Sequence, residues 1–145
     1  MSSKKFIKKK IFPNFKNLGF REWGQELLLA HIPKKLTLKK LIIEKNKKGG
    51  LQYHHKKNEC GLIIKGKLKV KFDLGNGILK EKILKKGDAF HFPPGLVHQE
   101  IAITKCEIIE ASTPHFNDRV RVEKKYGLNL EKGLPTTSLK QIKFY

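Results

Sequence analysis

Four side chains able to bind a metal are split between two distant stretches of this chain. Gln52, His54 and Glu59 fall within eight residues of one another, and His98 follows much later, behind the rigid corner Pro93-Pro94-Gly95. On an extended strand, residues two apart leave the same face, so Gln52 and His54 point together while His55 points away. Glu59 comes after the polar tip Lys56-Lys57-Asn58, and His98 must arrive on another strand. A β-barrel gathers ligands from strands distant in sequence in this way. Imidazole, carboxylate and amide oxygen together suit a divalent transition metal such as Zn, Mn, Fe, Co or Ni, and the set lacks the thiolates of a structural zinc site.

The rest of the pattern is that of many short strands. Strand-like runs are expected at 26–31, 35–45, 52–54, 59–65, 67–74, 78–84, 89–92, 101–104 and 106–111, punctuated by Pro33, Gly49-Gly50, Gly75-Asn76-Gly77 and Lys86-Gly87-Asp88. Leu68, Val70 and Phe72 alternate with Lys67, Lys69 and Lys71, which gives an apolar and a solvated face. In the run 35–45, Leu36, Leu38, Ile42 and Ile43 are read as the inner positions and the lysines as the outer ones. A charged helical turn is expected around 117–125. The organisation read from this is a basic N-terminal arm, 1–17, carrying Phe6, Phe12 and Phe15; one barrel domain, 18–127; and a C-terminal tail, 128–145, with a packing or swapped strand at 138–144. The fold class is all-β, a sandwich or barrel.

The donor spacing resembles the two cupin motifs. Gln52, His54, Glu59 and Gly66 match the first; Gly87, Pro93, Gly95 and His98 match the second, with Ala102 where an Asn often ends it. The resemblance implies a double-stranded β-helix, the jelly-roll cupin barrel, with Gln52, His54, Glu59 and His98 as metal ligands. Gln in place of the first His, together with Glu22-Trp23-Gly24 and the closing Val120-Arg121-Val122-Glu123-Lys124-Lys125-Tyr126-Gly127, is similar to type II mannose-6-phosphate isomerases and the isomerase domain of mannose-1-phosphate guanylyltransferases. The likeness spans 19–127. It departs from that branch at Lys57, where an Arg is usual, at Cys60-Gly61, which replaces His-Trp, and at Leu128, which replaces another Arg.

That branch implies aldose–ketose isomerisation of a sugar phosphate. Glu100, on the face of His98 by strand period, is a candidate general base or a hydrogen-bond partner that orients a ligand; His91 is a candidate for lining the cavity and the other candidate for shuttling the proton; Lys57 is a candidate for meeting the phosphate. Asp118, Arg119 and Arg121 are further candidates for a phosphate or sugar site. His55 and Tyr53 are expected to face outward and His115 to be a loop residue. Two other readings stay open: a non-catalytic cupin that binds a sugar or metabolite, and a cupin lyase, oxygenase or epimerase with a different substrate.

A formal charge of +19 suggests nucleic acid, but all except three of the 32 basic residues are lysines, and they recur on alternate strand positions. That composition looks like codon bias in an AT-rich genome, since specific phosphate recognition favours the planar arginine fork. The expected partner is a small anionic sugar, drawn in by the same field, and no specific nucleic acid. No apolar run approaches the ~20 residues of a membrane span, and no secretory signal opens the chain. Cys60 and Cys106, expected to be half-buried thiols, fit a reduced compartment. A cytoplasmic homodimer is the resulting expectation.

Overall fold

A computed structural model describes residues 11–116 and 118–129. Eleven strands and one 3-10 turn follow in chain order: β1 (Lys16–Arg21), β2 (Gly24–Ile32), β3 (Leu36–Ile43), β4 (Gln52–His54), β5 (Glu59–Lys65), β6 (Lys67–Asp73), β7 (Leu79–Lys85), β8 (Ala89–Phe92), β9 (Val97–Ala102), β10 (Cys106–Ser112), β11 (Arg119–Arg121) and the turn Glu123–Tyr126. They form a six-stranded sheet, β1-β2-β3-β10-β5-β8, and a five-stranded sheet, β11-β4-β9-β6-β7. All named pairings are antiparallel. This is the jelly roll implied by the resemblance to the cupin motifs, and it fits the all-β sandwich or barrel read from the many short strands.

Between the sheets lies an apolar core of Leu41, Ile43, Ile63, Leu68, Ala102 and Ile108, with Val70, Leu84, Phe92 and Cys106 around it. Alternation builds it: on β6, Leu68 and Val70 face inward while the lysines between them stay at the surface. Gly66, at the β5–β6 turn, has φ +89, and a side chain there would drive into the carbonyl of Lys105. The first motif therefore ends in glycine for a backbone reason.

Several expectations are corrected. On β3 the buried residues are Thr37, Lys39, Leu41 and Ile43, whereas Leu36 is exposed. The inner face of β3 is thus the odd-numbered one, and Lys39 is accommodated inside because Glu26 receives its ammonium at 2.7 Å. Strand β1 takes residues assigned to the arm, and β9 begins at Val97. Residues 119–121 are a strand because they pair with β4; only Glu123–Tyr126 is helical. Cys60 is exposed and Cys106 buried. Phe6, most of the arm, the strand at 138–144 and Asn117 lie outside the described residues.

Ile108 is fully buried, so Ile108→Ala should lower unfolding free energy by about 2–5 kcal/mol in a urea titration. Gly66→Ala should also destabilise, through backbone strain. An unchanged midpoint for Gly66→Ala would show that the turn relaxes freely.

Candidate metal centre

Three strands deliver the donors. Gln52 on β4 lies directly opposite His98 on β9, and Glu59 opens β5. Nitrogen and carboxylate donors of His54, Glu59 and His98 all lie within 4.8 Å of one another, and all three residues are buried. Glu59 Oε1 is 3.4 Å from His54 Nε2 and 3.2 Å from His98 Nε2.

The opposite edge of each imidazole is fixed by backbone. His54 Nδ1 donates to the Asp118 carbonyl at 3.0 Å and His98 Nδ1 to the Leu96 carbonyl at 2.9 Å. A carbonyl can only accept, so both Nδ1 atoms carry hydrogen and both Nε2 atoms offer lone pairs toward the carboxylate. Stacking of Phe92 on His98, with ring centroids 4.1 Å apart, holds the second ring. Gln52 Oε1 is buried and has no hydrogen-bond partner. Converging lone pairs beside an orphaned buried oxygen fit a cation at this point, since an unmet buried acceptor costs about 1–3 kcal/mol.

Charge around the donors is compensated in pairs. Lys57 Nζ bridges Glu59 Oε2 at 2.9 Å and Glu110 Oε1 at 3.1 Å. Burial would lower the Lys57 pKa, but these two carboxylates outweigh it and raise it. Burial would likewise raise Glu59, yet the ammonium of Lys57 beside it holds it well below the usual range. Burial and the charge of Glu59 push Glu110 up to about 7. Glu26 takes Lys39 and, at 3.3 Å, Arg21. Glu100 lines the same cavity, and burial, reinforced by Glu110 and Glu59, raises it well above the ordinary carboxylate range.

Of the residues singled out by sequence, Gln52, His54, Glu59, His98, Glu100, Lys57 and Arg119 share one cavity of about 100 Å³, whereas Asp118 and Arg121 do not line it. His91 does not join them. It is exposed, pairs with Cys60 across β5–β8 and bonds Asn58 Oδ1 at 2.7 Å, because its strand parity turns it to the outer face. His55 is exposed, against Tyr53. Lys57 enters the cavity but is committed to two carboxylates, which leaves it poorly placed to meet a phosphate. Glu110, Glu26, Lys39 and Trp23 were missed. The signal was present for Glu110: it continues the inward set Cys106, Ile108, Ser112 on β10, and an acid at such a position marks a buried site.

Comparison with known proteins places the chain in a class. A family model described as the cupin domain matches residues 40–112. The chain belongs to the cupin family. Among solved structures, the capsular polysaccharide assembling protein CapF from Staphylococcus aureus is similar, at 19% identity and a TM-score of 0.65 over 74% of this chain and 34% of that one. The chain thus spans about a third of the length of CapF. An RmlC-like cupin from Shewanella frigidimarina NCIMB 400 is 22% identical, with a TM-score of 0.57 over 73% of this chain and 87% of that one. KdgF from Halomonas sp. is 21% identical, with a TM-score of 0.53, covering 63% and 79%. At these identities the likeness is one of fold. No curated protein matches the sequence. Among the described residues, no helix is long and apolar enough to cross a membrane.

Loss of a ligand should be read directly in metal content. His54→Ala and His98→Ala should each weaken binding of Zn²⁺ by more than about 100-fold, beyond what supporting residues cost, with the β-sheet circular dichroism retained. Gln52→Leu should weaken it less. His55→Ala and His91→Ala should match the wild type in elemental analysis, and a loss there would contradict the strand parity observed on β4 and β8.

Proposed function

We propose that this cupin is a metal-dependent enzyme acting on a small anionic carbohydrate, an aldose–ketose isomerase of the kind implied by its resemblance to mannose-6-phosphate isomerases. One observation carries the reading: the Gln52/His54/Glu59/His98 donor set and the carboxyl of Glu100, which has no ion-pair partner among the described residues, line the same cavity. A divalent transition metal held by those four residues supplies Lewis acidity, which polarises a carbonyl and its neighbouring hydroxyl.

The residues of the chain do the rest. Glu100 takes the proton as the C–H bond at C2 breaks and returns it to C1, while a hydroxyl proton moves from O2 to O1. The product is an isomer, and no co-reactant is consumed. Lys57 positions Glu59 through its bridge to Glu110 and leaves the proton transfer to Glu100. Trp23, Leu41 and Ile43 form the apolar wall that keeps bulk water from the reacting carbons.

The test is solvent exchange. Zn²⁺- or Mn²⁺-loaded protein in deuterated water should exchange the C2 proton of a hexose 6-phosphate, followed by NMR, and chelator-treated protein should not. Glu100→Gln should lower the rate roughly 10²–10⁴-fold with metal content unchanged. Saturable binding without exchange across aldose and ketose phosphates would instead support a non-catalytic binding cupin. An unaffected Glu100→Gln variant would remove Glu100 from the chemistry.

A further inference from the structure

The cavity holds a second cation, and its situation differs from that of Lys57. Arg119 lies on β11 opposite His54, and burial pushes its pKa below the ordinary arginine range. Among the described residues, no hydrogen bond or ion pair within 4.0 Å engages its guanidinium, although the charge of Glu26 is felt from further away. Its neighbours are already satisfied. Arg121 pairs with Glu123, Lys57 with Glu59 and Glu110, and Glu26 with Lys39 and Arg21. A half-buried arginine with unmet donors is a ready partner for an oxyanion.

Its position says what that something is. Arg119 lines both the metal-centre cavity and an adjoining recess of about 30 Å³. The recess shares Thr113, His115, Phe116 and Asp118 with an open surface groove of about 780 Å³, which also carries Lys34, Lys35 and Lys56. Asp118, the one acid along this route, has its Oδ2 taken by the backbone N–H groups of Lys56 and Lys57 at 2.7 and 2.8 Å. An anion entering from the basic groove therefore meets a carboxylate already held by backbone N–H groups and then a guanidinium with no contact partner among the described residues. The inner cavity of about 100 Å³ has room for about three waters at ~30 Å³ each. It takes the reacting end of a ligand and leaves the charged end at Arg119.

We infer that Arg119 is the specificity-determining residue of this site, binding the terminal oxyanion, phosphate or carboxylate, of a substrate whose other end faces the metal donors. The inference rests on the proposed sugar-directed function of the same cavity, and it moves anion recognition from Lys57 to Arg119.

Trp23, the only tryptophan of the chain, lines the same cavity and serves as reporter. Chelator-treated full-length protein removes the metal's own attraction for anions. Titration with inorganic phosphate and with D-glucuronate should shift Trp23 emission saturably for at least one of them, and neutral D-glucose should not. A response to phosphate alone assigns the tetrahedral anion, and one to glucuronate alone the carboxylate. Arg119→Gln should weaken that binding roughly ten- to hundred-fold, as expected for charge-assisted bonds lost. Arg119→Lys should lose less, since it keeps the charge without the fork. Lys82→Gln, which removes the same charge from exposed β7, should bind as wild type. No saturable response in the wild type, or equal losses in Arg119→Gln and Lys82→Gln, would overturn the inference. If Arg119→Gln does not fold, unchanged affinity in Arg119→Lys for the anion, with glucose equally bound, would do the same. Proton exchange on a hexose phosphate that survives Arg119→Gln undiminished would leave the isomerase reading intact while removing this one.

Discussion

Everything at the open end of this barrel depends on one buried ammonium. Lys57 sits between Glu59 and Glu110, two carboxylates on adjacent strands β5 and β10, where Ser112 and Glu59 stand opposite each other in register. Without it, two buried acids would face each other and the metal donors in a low dielectric. Removing one partner from a buried pair costs about 3–5 kcal/mol. With it, Glu59 stays ionised, and Glu59 is the donor that faces both imidazoles.

The interior is divided accordingly. At one end, Ile63, Leu68, Ala102 and Ile108 make an apolar plug; at the other, the same strands turn carboxylates, imidazoles and ammonium groups inward. β10 shows the division within a single strand, since Ile108 and Glu110 share a face two residues apart. Rigid packing below holds the polar groups above in place. β11 and the 3-10 turn close the open end: the Asp118 carbonyl orients His54, Glu123 Oε1 accepts the Leu51 N–H at 3.1 Å, and Tyr126 OH donates to Asp73 Oδ2 at 2.5 Å. The closing motif Val120 to Gly127 is thereby tied to the metal centre through backbone and strand-end contacts.

The outer surface follows different rules. Lysines on the exposed positions of β6 and β7 make only long contacts, as with Lys69 and Lys71 to Glu81 at 3.8 Å. Such pairs contribute little to stability. Their sum is a positive field that attracts small anions without selecting among them. Selection must come from a group that is fixed and desolvated, and the surface lysines are neither.

Much of this was legible in the sequence. The period-2 alternation of β6, the turn at 75–77 and the spacing of Gln52, His54, Glu59 and His98 are local features, and local features determine strand direction and which neighbours share a face. An all-β sandwich or barrel follows from them; the jelly roll and its four-residue donor set were what the resemblance to the cupin motifs implied. Parity read locally fails where both faces of a strand carry aliphatic residues. β3 was therefore given an inner set of mixed parity, Leu36, Leu38, Ile42 and Ile43, of which Ile43 alone is buried, and Lys39 was left outside until Glu26 on β2 explained it. His91 was taken for a cavity residue because its aromatic neighbours look buried, but only pairing with β5 decides which way β8 turns. Glu59 lies two residues from Lys57, but its other partner, Glu110, lies 53 residues away, and the isolation of Arg119 likewise depends on charges distant in the chain. A sequence states which groups can ionise; which charge is answered by another is decided when the sheets close and water is excluded.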